Sequence, residues 1–585
     1  MFQRFKGFIG AAYTLDSVNV NAQRCLNLYP EIIENPMGKG EGRLYLKSRS
    51  GLVEITDFST PVSAQNFATT DVDTGADTIT ITSHGFVKNL KGQFTTTGTL
   101  PTGLSLSTDY YIIYSDADTI QVAASKGGSA VTLSSTGSGT HTFTPSTLTG
   151  AIRCIHEDAY DRLFVVCEDC VFKVTYSGGT YSKDLIGVLL SSSGIVKAAT
   201  GNLSYGATQF VDGSDIYMFL DSDGAGTESF GELSTYGYTV PTDPNDITWI
   251  DGYFIVTLSN SSVFMVSDVA SPNFSALSYA SSEGNPDLVV GLIANHRNLW
   301  IFNEKSTEVF VNTGNPDFPF ERVQGGFIEE GCGSAGSIAK AKGIIFWQGR
   351  DKTGQNIINM SNGLGSQRIS THAIEQAINS YADPSASVGY TFQENGHVFY
   401  ALNFAEATWV YDLNTQLWHE RGFTSGGTVG RHIVEHSEFY SVSGHTVVGH
   451  YNDQKIYYMD DSVYVDGGAT DYITRLRTSP FLLNTLERFF CDRFQLDMET
   501  GVGLVSGQGS DPQVMLDWSD DGGHTWSDEA WTSAGGQSGG IGEYSTRVIW
   551  NRLGSFRQRI FRVQITDPVS TTLIAAYLKL RQAGS

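Results

Sequence analysis

Between residues 150 and 470 the chain repeats one short pattern, a polar or glycine turn followed by a run of aromatic and aliphatic residues. It opens as Tyr160-Asp161-Arg162-Leu163-Phe164-Val165-Val166 and returns at 215–219, 251–256, 296–302, 342–347 and 395–400. Several copies carry a second strand behind them, as in Thr408-Trp409-Val410-Tyr411-Asp412. The copies stand roughly 37 to 55 residues apart, which brackets one four-stranded propeller blade. A sandwich does not extend through so long a run, whereas radial repetition grows by adding blades. The pattern predicts an all-β fold centred on a β-propeller of six or seven blades.

Other stretches depart from this rhythm. Residues 59–148 are dominated by Thr, Ser and Gly, contain no Arg or Glu, and alternate polar with apolar positions, as in Asp77-Thr78-Ile79-Thr80-Ile81-Thr82. Such alternation between turn residues reads as a small inserted β-sandwich rather than a loop. Residues 1–58 are expected to give a strand (43–56) to the propeller, with 44–55 closing the ring. Residues 149–474 form the propeller body, and 475–585 a C-terminal β-sandwich and docking domain. One helix is predicted at 373–381, capped by Ser370 or Thr371, with Ile374 and Ile378 one turn apart on a buried face.

Composition narrows the function. Hydrophobic residues reach 40% and charged residues only 17%, which excludes disorder, and 64 glycines with 12% aromatics suit many tight turns. The net charge of −25 excludes phosphate-gripping as the main task but is compatible with a smooth channel along which DNA slides. Six cysteines are too few for a disulfide framework and suit a reducing cytoplasm. No apolar run is long enough for a membrane span, and the start of the chain does not read as a signal peptide.

The sharpest motif is Ser519-Asp520-Asp521-Gly522-Gly523-His524-Thr525-Trp526, which fits the S-x-D-x-G-x-T-W Asp box of sialidases and related propellers. Its parts (Ser519, Asp521, Gly523, Thr525, Trp526) describe a hairpin turn in which a carboxylate accepts backbone N–H groups and a glycine supplies an unusual φ. One such turn supplies neither the arginine cluster nor the tyrosine nucleophile of a sialidase. Arg547, Arg552, Arg557, Arg559 and Arg562 concentrate at the strand ends of the last region and mark a docking surface on an otherwise acidic chain. Cys154, His156, Cys167 and Cys170 supply four soft zinc ligands, with Glu168-Asp169 as a two-residue turn joining the last two thiols. The one-residue spacing of the first pair departs from the usual two to four, so these residues read first as small buried fillers of blade strands. A phosphate-binding loop and a zinc-protease helix are both missing. No catalytic residue and no cofactor is assigned.

Three segments resemble the packaged-DNA stabilisation proteins of short-tailed bacteriophages, tail accessory or head-completion proteins that form the tail nozzle. They are Asn21-Ala22-Gln23-Arg24-Cys25-Leu26-Asn27-Leu28-Tyr29-Pro30-Glu31, Phe320-Glu321-Arg322-Val323-Gln324-Gly325-Gly326-Phe327-Ile328-Glu329-Glu330-Gly331-Cys332, and Arg547-Val548-Ile549-Trp550-Asn551-Arg552-Leu553-Gly554-Ser555-Phe556-Arg557. The resemblance spans most of 1–58 and 150–581, whereas the module at 59–148 departs from it and is expected to serve as decoration or fibre contact. It implies a non-enzymatic virion protein of the tail, assembled in the host cytoplasm. The implied form is a homo-hexamer beneath the tail adaptor ring of the portal, next to a tail needle or tip protein and tailspikes or fibres. Genomic double-stranded DNA is held and then passes through without sequence-specific contact. Two other readings stay open at this point, a receptor- or carbohydrate-binding tail protein and a virion-attached propeller glycosidase.

Overall fold

The structure is a computed structural model describing residues 2–14, 22–33, 43–203, 206–221, 228–282, 284–350, 353–483, 487–535 and 541–582. Asn21, which opens the first family-like segment, lies outside the described residues. The chain divides into two compact units, one of residues 55–332 and 434–457, the other of 1–54, 333–433 and 458–585.

The first unit is a succession of four-stranded antiparallel meanders. The first consists of Ile152–Glu157, Leu163–Cys167, Cys170–Ser177 and Thr180–Val188. Three more follow, running from Lys197 to Glu232, from Pro244 to Ser281 and from Val289 to Ile328. A fifth joins Val434–Tyr440, His445–His450 and Lys455–Asp460 to Gly51–Asp57. The second unit holds two further sheets of this kind, beginning at Ala339–Ala341 and at Val388–Glu394. These sheets build the predicted all-β propeller. Inner strands such as Leu163–Cys167 and His397–Asn403 are buried at every position, because both of their faces are covered. That explains why the repeated motif reads as a continuous apolar run rather than an alternating one.

The turn that introduces most copies of the motif is the hairpin between a blade's first two strands. Asp161, Asp251, His296, Lys342 and Asn395 stand there at φ between +48° and +61°. Tight hairpins demand such left-handed residues, which is why polar or glycine pairs recur at these positions. The copy at 215–219 is displaced by one strand, lying on the third strand of its sheet, Ile216–Asp221. Its second strand, Ala207–Val211, holds a single aromatic residue and so escaped the pattern.

The inserted module also folds as β structure, with a correction. Its seven strands, from Gln65–Ala68 to Thr140–Pro145, form one hydrogen-bonded path instead of two separately bonded sheets. Phe94, Ile112, Ile120 and Phe143 are fully buried in it. The same apolar cluster continues into the first blade, where Phe58 meets Phe172 at 4.7 Å between ring centroids.

A second correction concerns the N-terminal strand. The expected strand at 43–56 breaks into Arg43–Ser48 and Gly51–Asp57, and only the latter enters a blade. Arg43–Ser48 instead lies between Leu28–Ile33 and Thr572–Gln582 in a sheet of the C-terminal sandwich. The break falls at Arg49 and Ser50, whose polar groups turn into the interior. The sandwich is consequently completed by the N-terminus: Phe2–Arg4 pairs with Thr572–Gln582, and Cys25–Leu26 connects Leu417–Ser425 to Arg475–Thr478. Its two sheets meet through Phe494 and Phe561, 5.0 Å apart. The helix spans His372–Ser380, with Thr371 as its cap and Ile374 and Ile378 buried. No helix among the described residues is long and apolar enough to cross a membrane.

Candidate functional site

The Asp-box turn follows strand Gln513–Ser519. Asp521 Oδ1 accepts from the backbone N–H groups of His524 (3.0 Å) and Thr525 (2.9 Å) and from the Ser519 hydroxyl (2.7 Å). The Thr525 hydroxyl donates to Oδ2 at 2.6 Å, and Gly523, at φ +96°, donates its N–H to Ser519 Oγ. The Thr525 bonds, with those from Ser519 and His524, hold the Asp521 carboxyl far below the usual range. Both oxygens of this carboxylate are thus bonded within its own turn, and the motif builds a loop.

The five arginines divide into two groups. Arg559 is 2% exposed, forms a two-bond pair with Asp520 (2.6 and 2.7 Å), and lies against Phe556, Trp518 and Phe561. Arg562 pairs with Asp517 while its guanidinium stacks 4.0 Å over the Trp526 ring. These two are used inside the sandwich and not on a docking surface, because each is paired with a carboxylate about 40 residues away in sequence. Arg547, Arg552 and Arg557 remain exposed. Arg559→Ala is accordingly expected to destabilise the protein by about 2–4 kcal/mol, and Arg552→Ala by no more than about 0.5 kcal/mol, in denaturant unfolding.

The proposed zinc ligands are not brought together. Cys154 packs with Phe164, Val166 and Phe210, whereas Cys167 and Cys170 belong to the separate cluster that holds Phe58 and Phe172. His156 Nε2 is bonded to Thr200 Oγ1 at 2.8 Å. Burial pushes the Cys154 thiol up to about 12 and the His156 imidazole down to about 4, which leaves both neutral. Among the described residues no three His, Cys, Asp or Glu side chains are placed to hold a metal ion. Cys154 lies on a different side of the blade from Cys167 and Cys170, because successive strand positions alternate between the two faces, and each thiol packs among apolar side chains.

The densest polar constellation lies where the N-terminal strands meet the last blade of the second unit. Arg49 pairs with Asp466 through two bonds (2.8 and 2.5 Å) and donates to Asn27 Oδ1 at 2.8 Å. Glu394 accepts from the Ser50 N–H and hydroxyl and from Arg421 at 2.7 Å. Burial raises the Glu394 carboxyl, but Arg421 and Ser50 outweigh it and hold the group below its ordinary range. His397 is gripped on both nitrogens, by Asp412 (2.8 Å) and by Glu31 (2.9 Å). Asp412, against the opposing pull of burial and with help from Glu31, raises this imidazole to about 9. A histidine protonated at neutral pH cannot accept a proton, so the arrangement serves as a cationic clamp and not as a general base. Sequence reasoning missed the constellation entirely. The available signal was the presence of charged residues inside otherwise apolar strand runs, as in Leu417-Trp418-His419-Glu420-Arg421.

Blade meanders followed by a facing pair of sheets define a β-propeller protein with an appended β-sandwich. The family described as Bacteriophage P22 Gp10, beta-propeller, matches residues 147–464, and Bacteriophage P22 Gp10, beta-sandwich, matches residues 474–581. The chain belongs to the bacteriophage P22 Gp10 family and is a structural protein of a phage virion. The matches begin at residue 147, so they leave out the N-terminal segment, for which a resemblance was also expected, and nearly all of the inserted module, for which none was. No curated protein matches the chain. Among solved structures, the β-propeller domain of Cps50 (Swd1) from Myceliophteria thermophila aligns over 53% of this chain and 96% of its own, at 10% identity and TM-score 0.34. The extracellular domain of BT4673 from B. thetaiotaomicron aligns over 90% of this chain and 77% of its own, at 9% identity and TM-score 0.35.

Proposed function

We propose that the protein is the nozzle of a short phage tail, a non-enzymatic ring of six copies that retains the packaged genome and conducts it at ejection. The family match over both propeller and sandwich is the observation that carries this reading. The balance of charge supports it. The chain carries 37 Lys and Arg against 62 Asp and Glu, so a channel wall built from it offers DNA few fixed cations. DNA sticks to a protein in proportion to the phosphates that cations neutralise, and such a surface lets it slide. In this reading the copies sit beneath the tail adaptor ring, with the tail needle or tip and the fibres as further neighbours. The exposed Arg547, Arg552 and Arg557 offer contacts to acidic partner surfaces.

Deleting the gene and examining the particles tests the proposal. Particles are expected to package DNA, lose it on standing, and lack the distal part of the tail, while added protein restores sixfold density at that position. Full particles with a complete tail would refute the assignment.

A further inference from the structure

Cys167 and Cys170 remain without a role once zinc is set aside, yet their placement is specific. They are the last residue of one strand and the first of the next, directly opposite in antiparallel register across the turn Glu168-Asp169. Directly opposed residues point to the same face and stand about 4.5–5.5 Å apart at Cα, inside the roughly 4.4–6.8 Å window of a disulfide. Both side chains lie in one apolar cluster, and Cys154 is in another, so no other cysteine of this blade competes for them.

The turn between them is held from several sides. Glu168, at φ +55°, accepts the N–H groups of Thr149 (2.9 Å) and Gly150 (3.1 Å) on its carboxylate and Arg153 Nη1 on its carbonyl (2.7 Å). Asp169 is paired with Lys126 of the inserted module at 2.9 Å, and its carbonyl accepts the Leu189 N–H at 2.7 Å. A hairpin fixed in this way holds the two cysteines in direct cross-strand register, with the Cys167 thiol directed at the Gly150 carbonyl (3.8 Å) and the Cys170 thiol at the Asp169 carboxylate (3.6 Å).

We propose that Cys167 and Cys170 are a redox site, a dithiol while the chain folds in a reducing cell and an intrachain disulfide once the protein meets an oxidising medium. The oxidant is a small-molecule disulfide. One thiolate attacks it, its S–S bond breaks, and one half leaves as a thiol with a mixed disulfide left on the protein. The second cysteine then attacks that sulfur, forming the Cys167–Cys170 bond and releasing the other half. Overall, two electrons and two protons pass from the cysteines to the oxidant. Burial and the flanking Glu168 and Asp169 carboxylates raise both thiols, which makes the first attack slow at neutral pH and faster in alkali. The product would harden the hairpin that pairs with the inserted module through Asp169 and Lys126.

The test treats the purified full-length chain with oxidised glutathione at mildly alkaline pH, then denatures and alkylates it. Trypsin cuts after Arg162 and Lys173, so residues 163–173 emerge as one peptide carrying both cysteines. The expected peptide is unlabelled and two hydrogens lighter than its dithiol form, and reduction restores two labels. The same result is expected in Cys154→Ser. A peptide that still takes both labels after oxidation, or that is cross-linked to another cysteine, overturns the proposal. The readout concerns the isolated chain, so either outcome leaves the nozzle reading untouched.

Discussion

Replacing Asp466 with alanine is expected to destabilise the second unit by about 3–5 kcal/mol, the usual effect of removing one partner from a buried ion pair. Asp466 and Arg49 have side chains 2% and 1% exposed, so no water replaces the lost carboxylate. The guanidinium would keep its bond to Asn27 Oδ1 and its contact with the Ser50 carbonyl, but its charge would be left uncompensated. Arg49 occupies the break between strands Arg43–Ser48 and Gly51–Asp57, one of which completes the sandwich sheet and the other a blade. Losing the pair therefore loosens the point at which the N-terminal chain changes sheets. Denaturant unfolding followed by tryptophan fluorescence measures the loss. A double variant, Arg49→Met with Asp466→Leu, is expected to recover most of it, because an apolar pair needs no desolvation of charge. If Asp466→Ala leaves the midpoint unchanged, the pair is not buried as described.

The second large effect is a loss of stability in alkali that depends on His397. Its folded value near 9 lies above the ordinary 6.5, so the native state holds a proton that the unfolded chain gives up. Below pH 6.5 both states are protonated and the clamp contributes in full. Between 6.5 and 9 the contribution falls with rising pH, and above 9 it is gone. The total is roughly 3 kcal/mol, from about 1.4 kcal/mol per unit of difference. The cause is geometric: once neutral, the ring leaves Asp412 and Glu31 facing each other without the cation that joined them, and of the side-chain ties between the strand Leu28–Ile33 and the blade only those of Tyr29 keep their strength. Unfolding curves at pH 6 to 10 should decline for the natural chain and run flatter for His397→Gln, and their difference isolates this residue. Parallel curves would show that the imidazole is not charged in the native state.

Much of the local structure was legible because its causes are local. The turn pairs Asp251-Gly252, Lys342-Gly343 and Asn395-Gly396 have the positive φ that a tight hairpin needs, and they marked the blades correctly. Thr371 capping, the Ile374 and Ile378 stripe, and the Asp521 turn each rest on bonds spanning no more than a few residues. The site arguments went astray where a partner lies far off. Arg559 and Arg562 looked like a docking surface because nothing near them in sequence reveals Asp520 and Asp517. The four metal-like residues looked convergent because strand alternation was not carried through to the faces on which Cys154 and Cys167 lie.

By itself, then, the sequence determined that this is an all-β chain of blade-like hairpins with an inserted module and a terminal sandwich. Period and turn chemistry act within a hairpin's length, and each segment carries them wherever it ends up. Only the tertiary structure decided which sheet receives each N-terminal strand and which carboxylate neutralises each buried cation. Arg49 and Asp466 are separated by 417 residues, and the register that unites them is a property of the packed core. No local pattern encodes such a pairing; burial selects it, since an unpaired charge in that interior would not be tolerated.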